Sequence, residues 1–393
     1  MKLLPKVLLK NTNQNSFNYI KIFYCIILSV TLISCARNES NTANKDIDLG
    51  GNILKQIKKV KNADLKREKF KKYFDSLAIY QQFNGNVLVA QYGQVIFSGE
   101  YGYSNIKTKD TLKPESTFQL ASITKQFTAV AILKLYEEGK IKLNDSIQKF
   151  FPDFPYKGIK IHMLLTHRSG LTNYIYFADK LLKNKNTYLS NDFIIKAFTK
   201  YKPEPYYPPD MTFDYSNTGY AILAKIIEKV SGVSYEDFIT ENIFKPLSMT
   251  NSCVYNRNKN IEIPNKTTGY IYYGKPAEDN IFNGVVGDKG IYSCVEDLLK
   301  WDMSLYTDKI IKRKTKLMAF KPMGKPADER HNYGYGWRLF TTEDNIKIIY
   351  HGGWWQGYQN LFMHIEKDTT TVIILKNIKT PYAFNMEDYL KML

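Results

Sequence analysis

The chain has 393 residues, of which 44% are hydrophobic, and its formal net charge is +17. This length and composition predict a folded body of one or two domains, and no repeat of fixed period indicates a solenoid or propeller. The positive charge does not indicate a nucleic-acid-binding protein, because no motif of that class accompanies it.

Residues 1–35 have the pattern of a secretory signal. Four lysines precede an apolar run over residues 22–33. This run is too short for a membrane-spanning helix, which needs roughly 20 residues. It ends in Leu32-Ile33-Ser34-Cys35, which resembles the lipobox of bacterial lipoproteins, so we expect Cys35 to carry a lipid anchor. The lipidated protein would lie in the bacterial cell envelope, on the periplasmic or another extracytoplasmic face of a membrane. An uncleaved anchor is the alternative.

Residues 36–70 are predicted to form a polar and basic tether between the anchor and the folded body. Between residues 55 and 72 there are nine Lys or Arg against two acidic residues, a net of +7. Such a charge run is usually the solvated face of a helix, which is the interpretation we favour. Contact with anionic lipid headgroups is the alternative, since each basic residue near such a surface contributes about 1 kcal/mol.

The elements predicted next begin with a hairpin over residues 86–90 and 95–98, because two apolar runs flank a turn that contains Gly93. From residue 122 to 138 the apolar positions recur at helical spacing, and Gly139 ends the run. Further helices are predicted over 220–230, 235–244 and 298–305. After residue 333, strands are predicted over 335–340, 346–350, 361–365 and 370–375.

Strands at both ends with helices between them predict an α+β fold. The two ends would form one antiparallel sheet with flanking helices, over about 71–115 and 333–393. A mostly helical part would be inserted over about 116–332, so that the folded domain spans 71–393. A pocket is expected where the sheet part and the helical part meet.

The pair Ser122 and Lys125 lies where a loop is predicted to become a helix. Residues three apart share a helix face, and a serine at a helix start has free backbone N–H groups beside it. This arrangement suits acyl transfer through a serine ester. The S-x-x-K spacing occurs three times in the chain, also at Ser104 and Ser146. The Ser104 copy falls at a strand exit and the Ser146 copy in a short segment that ends at prolines, so context favours Ser122.

Several segments in a fixed order resemble the serine β-lactamase-like superfamily, which includes class C β-lactamases, DD-peptidases and related esterases. The resemblance covers roughly residues 75–390. Besides the S-x-x-K pair, it rests on residues 164–171 (LLTHRSGL), 215–217 (YSN), 287–291 (GDKGI), 297–301 (DLLKW) and 351–353 (HGG). Y-x-N also occurs three times, and only the Tyr215 copy lies between the other motifs. The resemblance implies the β-lactamase/transpeptidase-like fold.

The resemblance also implies roles for the matching residues. Ser122 would attack an acyl carbonyl, with Lys125 or Tyr215 as the base, a choice that the sequence leaves open. Asn217 would bind the acyl-side amide of the substrate, and the oxyanion would lie between the backbone N–H groups of Ser122 and Trp354. His351 would bind substrate, tune Tyr215 or order a strand, and Gly353 would let that strand approach the substrate. His167 would fix a loop by hydrogen bonds.

The chain departs from the best-known relatives at the third motif, where His351 and Gly352 replace Lys and Thr or Ser. Those side chains receive the substrate carboxylate in β-lactamases and many DD-peptidases, so the task would fall to His351 or Arg168.

The expected function is therefore a serine hydrolase that acts through an acyl-enzyme on an ester or amide, including D-amino-acid peptides of the cell wall. A non-catalytic or slow penicillin-binding or sensor protein of the envelope is one alternative, and a β-lactamase is another. No metal, cofactor, nucleic-acid partner or obligate protein partner is indicated, and the substrate is a small molecule or peptide.

Overall fold

A computed structural model describes residues 59–182, 187–259, 261–272, 274–324, 330–380 and 384–393. They belong to one compact unit, Asp48–Leu393. The predicted signal sequence with Cys35 and most of the predicted tether lie outside the described residues. None of the described helices is both long and apolar enough to cross a membrane.

The main sheet has seven antiparallel strands in the order β10-β11-β12-β13-β14-β1-β2. Two of its strands come from the N-terminal part of the chain and five from the C-terminal part, so the predicted α+β fold is confirmed. Short strands in the intervening segment form small separate sheets. The strands are β1 Gly85–Gln91, β2 Gln94–Tyr101, β3 Tyr103–Asn105, β4 Asp110–Thr111, β5 Phe118–Gln119, β6 Cys253–Val254, β7 Tyr270–Tyr272, β8 Lys275–Pro276, β9 Ile291–Ser293, β10 His331–Tyr333, β11 Arg338–Thr341, β12 Lys347–Trp355, β13 Tyr358–Ile365 and β14 Thr370–Lys376.

The main sheet is covered on both faces, which explains why β1 and β14 are buried along their whole length. Successive side chains of a strand point to opposite faces. Accordingly, Val87 and Val89 pack in one hydrophobic cluster, while Leu88 and Ala90 pack in the other. The larger cluster joins the sheet to the helical part, and the smaller one lies under the first and last helices.

The helices of the described residues are α1 Ala63–Gln81, α2 Thr124–Glu137, α3 Ile161–Leu165, α4 Asn191–Tyr201, α5 Asn217–Ser231, α6 Tyr235–Ile239, α7 Val295–Ser304, α8 Arg313–Ala319 and α9 Met386–Met392. α2 is buried on almost every side, and its buried residues include the polar Thr124, Lys125, Gln126 and Thr128. α5 is amphipathic, begins with a hydrogen bond from Thr218 N to the Ser216 side chain, and ends at Gly232 in the left-handed conformation. The candidate catalytic residues lie in these two helices or immediately before them.

Two elements differ from the sequence-based expectation. The prediction of a single strand over 335–340 is wrong. Residues 334–337 form a turn between β10 and β11, with Gly336 at a φ of 89°, and only residues 338–340 lie in a strand. α1 begins at Ala63, so residues 63–70 of the predicted tether form the start of a packed helix. Its Phe70 and Phe74 are fully buried, and burying one such side chain contributes roughly 1.5–3 kcal/mol.

Candidate active site

Ser122 lies in a single 3-10 turn, Ala121–Ile123, that leads directly into α2 at Thr124. Leu120 N donates a hydrogen bond to Ile291 O at 2.8 Å, which ties the start of this turn to β9. Ala121 has a φ of 50°, a conformation that costs a non-glycine residue of the order of 1–3 kcal/mol and is concentrated at functional sites. The turn therefore presents Ser122 at the start of a buried helix.

The Lys125 side chain is fully buried and its ammonium nitrogen is within hydrogen-bond distance of three oxygens. These are Ser122 Oγ at 3.1 Å, Asn217 Oδ1 at 2.8 Å and the backbone oxygen of Asp288 at 2.9 Å. An ammonium group has three N–H donors, so every proton of charged Lys125 has an acceptor.

The same geometry defines what a neutral Lys125 would do. The oxygens of Asn217 and Asp288 can only accept, so they would take the two remaining N–H groups. The nitrogen lone pair would then face Ser122 Oγ and could accept its proton. The arrangement thus allows Lys125 to act as a base toward Ser122 without moving.

Asp288 is itself held by a buried polar cluster. Tyr174 OH donates to Asp288 Oδ2 at 2.9 Å, and Lys289 Nζ lies 3.3 Å from the same oxygen. Lys289 Nζ also donates to Tyr174 OH at 2.6 Å. Burial lowers the pKa of Lys289 despite the nearby carboxylate, and burial together with Asp288 raises the pKa of Tyr174. The cluster fixes the loop whose carbonyl accepts from Lys125.

Tyr215 and Asn217 lie at the start of α5, where Ser216 is the N-cap residue. Asn217 contacts Lys125 directly, as described above. The ring of Tyr215 lies 5.0 Å from Lys125 Nζ, at a cation–π distance. Within the described residues, no hydrogen bond joins the Tyr215 hydroxyl to Ser122 or Lys125. Of the two candidate bases, Lys125 is therefore the one in direct contact with Ser122.

β12 forms the opposite side of the site. β11 pairs with β12 only as far as Tyr350, and beyond that point β12 lies against the turn that carries Ser122. A Cβ atom on Gly353 would lie 2.1 Å from Leu120 O, so only glycine permits this approach. Trp354, the predicted second oxyanion donor, follows Gly353 on β12, and its side chain is 59% exposed.

His351 does not present its ring to a substrate, contrary to one of the roles expected for it. The ring is 1% exposed, with Nδ1 at 2.6 Å from Gly352 O and Nε2 at 3.0 Å from Tyr333 OH. Burial, with Arg338 and Lys125 nearby, holds its pKa well below the usual histidine value. His351 is therefore neutral and both of its nitrogens are engaged within the protein.

Arg168, the other candidate for carboxylate recognition, is engaged as well. Its Nε donates to Asp210 Oδ1 at 2.7 Å and its Nη2 to the backbone oxygen of Asp210 at 2.7 Å. His167 is buried and hydrogen-bonded to Ser216 N and Tyr333 OH, in keeping with its expected part in fixing a loop. A cation for a substrate carboxylate must come from elsewhere.

Arg338 is the candidate for that cation, and the sequence reasoning missed it. Its guanidinium carbon lies 5.3 Å from the centre of the Tyr215 ring, and its charge helps to lower the pKa values of His167 and His351. Among the described residues, no carboxylate pairs with it and no side-chain hydrogen bond involves it. An unpaired, partly buried guanidinium beside a candidate base is a ready partner for an anionic group. No local motif marks Arg338.

A family model described as Beta-lactamase matches residues 70–393. The chain belongs to the β-lactamase family. Penicillin-binding protein 4* of Bacillus subtilis is 36% identical over 327 residues, which covers 79% of this chain and 72% of that protein. Protein flp of Staphylococcus aureus is 28% identical over 319 residues, covering 78% of this chain and 61% of that protein.

Two solved structures extend the comparison to the fold of this β-lactamase-family chain. An octameric penicillin-binding protein homologue from Pyrococcus abyssi has a TM-score of 0.69 at 28% identity, covering 79% of this chain and 73% of the other. D-amino acid amidase from Ochrobactrum anthropi SV3 has a TM-score of 0.67 at 20% identity, covering 84% and 95%. Family membership supports a serine hydrolase of the β-lactamase and penicillin-binding-protein type. In the described part of the chain, no group of three His, Cys, Asp or Glu residues could hold a metal ion.

Proposed function

We propose that this protein is a serine hydrolase that forms an acyl-enzyme on Ser122 and prefers substrates with a free carboxylate on the leaving group. A carboxypeptidase acting on D-amino-acid peptides of the cell wall fits this description best. The observation that carries the hydrolase assignment is the 3.1 Å contact between Lys125 Nζ and Ser122 Oγ. The observation that favours a carboxylate is the unpaired Arg338 beside Tyr215.

In the proposed reaction, Ser122 Oγ attacks the acyl carbonyl while its proton passes to the neutral form of Lys125. Two backbone N–H groups, of Ser122 and Trp354, would stabilise the oxyanion, and losing one such donor costs about 3 kcal/mol. When the carbon–nitrogen bond breaks, the leaving amine takes up a proton from Lys125 or Tyr215. Water then attacks the ester carbonyl as Lys125 takes up its proton, and Ser122 Oγ regains a proton from Lys125 when the acid is released.

The positive charge around the site supports an anionic substrate. After burial, which is the larger cause, the charges of Lys125 and Arg338 both lower the pKa values of the two buried histidines. The carboxylate of Asp288, whose backbone oxygen accepts from Lys125, is already paired with Lys289. Gly352 offers no hydroxyl to a carboxylate, which speaks against efficient β-lactam hydrolysis, so a β-lactamase is not the favoured alternative.

The test compares an acyl-D-Ala-D-Ala peptide with its C-terminal amide in four proteins. These are the wild type and the variants Ser122→Ala, Arg338→Ala and Arg168→Ala. We expect Ser122→Ala to abolish turnover of both substrates. Arg338→Ala should raise KM for the acid by about 10- to 100-fold, since a hydrogen bond to a charged group contributes about 1.5–3 kcal/mol, and should leave the amide within about twofold.

Arg168→Ala is the matched control, because Arg168 is paired with Asp210 and should not affect the preference for the acid. Equal turnover of acid and amide, unchanged by Arg338→Ala, would instead indicate an esterase or amidase. A persistent adduct on Ser122 without turnover would indicate a penicillin sensor.

We also propose that the protein is held in the bacterial envelope by a lipid on Cys35, as the lipobox-like Leu32–Cys35 segment indicates. Labelling with palmitate should depend on Cys35. If Cys35→Ala is still labelled and still found with membranes, the lipobox interpretation is wrong.

A further inference from the structure

A continuous series of four hydrogen bonds crosses the interior between the two sides of the site. Ser216 N donates to His167 Nδ1 at 3.2 Å, and His167 Nε2 lies 3.2 Å from Tyr333 OH. Tyr333 OH lies 3.0 Å from His351 Nε2, and His351 Nδ1 lies 2.6 Å from Gly352 O. The three side chains are between 1% and 3% exposed, so water does not compete for these bonds.

The two ends of this series fix the direction of every bond within it. The backbone N–H of Ser216 can only donate, so His167 carries its proton on Nε2. The carbonyl of Gly352 can only accept, so His351 carries its proton on Nδ1 and accepts at Nε2. Tyr333 must then accept from His167 and donate to His351. One arrangement satisfies all four bonds, and it requires both histidines to be neutral.

The surroundings keep both rings neutral. Burial and the charge of Lys125 hold the pKa of His167 well below its usual value, and burial with Arg338 and Lys125 does the same for His351. The titratable and charged groups that face the two rings come from α2, the start of α5, β10 and β11: Lys125, Tyr215, Tyr220, Tyr333 and Arg338. Both charged groups in this set are positive, so neither offers a counter-ion to a protonated ring.

Each end of the series attaches to a part of the site that holds reacting groups. Ser216 directly precedes Asn217, whose Oδ1 accepts from Lys125 Nζ at 2.8 Å. Gly352 directly precedes Gly353, the residue through which β12 approaches the nucleophile turn. If these hydrogen bonds lengthened or broke, Asn217 would therefore move relative to β12, the strand that carries the expected oxyanion donor Trp354.

We propose that His167, Tyr333 and His351 form a positioning relay that sets the distance between the start of α5 and β12. The relay thereby keeps the groups around Ser122 in the geometry that acylation needs. None of the three residues touches the substrate; they act through Asn217 and the glycines of β12. This inference rests on the proposed function, since it assigns the relay to acylation of Ser122.

The test removes one hydroxyl by Tyr333→Phe. His167 Nε2–H then lacks an acceptor and His351 Nε2 lacks a donor, so the two sides of the site are no longer joined. We expect kcat for acylation by a nitrophenyl ester to fall about 10- to 100-fold, because displacements of about 1 Å have effects of that size. KM should stay within about threefold. Tyr335→Phe is the matched control, because Tyr335 is also buried and lies outside the relay.

The pH profile separates positioning from a loss of stability. The hydrogen bond from Tyr333 favours neutral His351, so its removal should raise the pKa of His351. The acid limb of kcat/KM should therefore move to higher pH by about one unit in Tyr333→Phe and stay in place in Tyr335→Phe. His351→Asn, which can keep the bond to Gly352 O but loses the acceptor, is the second variant if Tyr333→Phe does not fold.

Wild-type kcat and an unchanged acid limb in Tyr333→Phe would overturn the relay. The relay would also be overturned if the activity of Tyr333→Phe fell only in proportion to the fraction of folded protein and the acid limb did not move. In either case Ser122→Ala would still abolish acylation if the proposed function is right. Acylation that persists in Ser122→Ala would overturn the proposed function instead.

Discussion

Replacing Gly353 by alanine adds a single methyl group at the point where β12 meets the nucleophile turn. The new Cβ would lie 2.1 Å from Leu120 O and 3.1 Å from Leu120 C, both backbone atoms that cannot rotate away. To restore an ordinary contact, β12 must withdraw from the turn by about 1 Å. A displacement of this size can cost about 100-fold in rate.

The free energy of unfolding should change less than the rate. Overpacking of this kind typically costs 1–3 kcal/mol. Gly352→Ala is the matched control, because a Cβ at Gly352 would meet its nearest atom, Asn360 O, only at 3.6 Å. We therefore expect Gly353→Ala to lower kcat/KM for a nitrophenyl ester by about 100-fold and Gly352→Ala to lower it by less than about threefold. Urea unfolding measures the stability of each variant. Equal activity of the two variants would refute the close approach of β12 to Ser122.

Three further predictions concern the same site. Stability should fall as the pH drops below about 6.5, because His167 and His351 stay neutral in the folded protein while the unfolded chain takes up protons. The free energy of unfolding should fall by at most about 1.4 kcal/mol per histidine per pH unit. Equal free energies of unfolding in urea at pH 7 and pH 5 would contradict this prediction. Asn217→Ala removes an acceptor of Lys125 and should lower the acylation rate about 10- to 100-fold at nearly unchanged Tm; an unaltered rate would exclude this role for Asn217. Gly352→Ser should restore a hydroxyl near the site and speed acylation by a β-lactam about 3- to 10-fold, and no gain would argue against carboxylate recognition there.

The site residues that the sequence brought together, Ser122, Lys125 and Asn217, all belong to short sequence motifs. Ser122 and Lys125 share one helix turn, and Asn217 lies in a loop that enters a helix with its own N-cap. The order of the motifs along the chain was enough to choose these copies over the other S-x-x-K and Y-x-N matches. In the structure, Lys125 Nζ lies within hydrogen-bond distance of both Ser122 Oγ and Asn217 Oδ1.

The residues that the sequence did not identify are brought in by strand pairing. Arg338 and Tyr333 come from β11 and β10, which reach the site because β11 pairs with β12. The sequence pattern over 335–340 predicts one strand, whereas the chain turns at Gly334 and Gly336. Without that turn, neither the guanidinium nor the hydroxyl could be assigned to the site.

The carboxylate-binding role considered for Arg168 and His351 also depended on tertiary contacts. No nearby residue in the sequence indicates a partner for Arg168, but its guanidinium donates a hydrogen bond to Asp210, 42 positions later. His351 looks like a substrate ligand, but it is buried against Tyr333. In both cases the partner is remote in sequence, and the charge or hydrogen-bonding capacity that seemed available is already used.

Intact-protein mass spectrometry after brief exposure to a fluorescent penicillin, followed by peptide mapping, tests directly whether Ser122 is the nucleophile. The acyl-enzyme mechanism predicts a single covalent adduct on the peptide that contains Ser122, and no adduct in a folded Ser122→Ala variant. An adduct at another residue, or an undiminished adduct in Ser122→Ala, would contradict the assignment of Ser122 as the nucleophile.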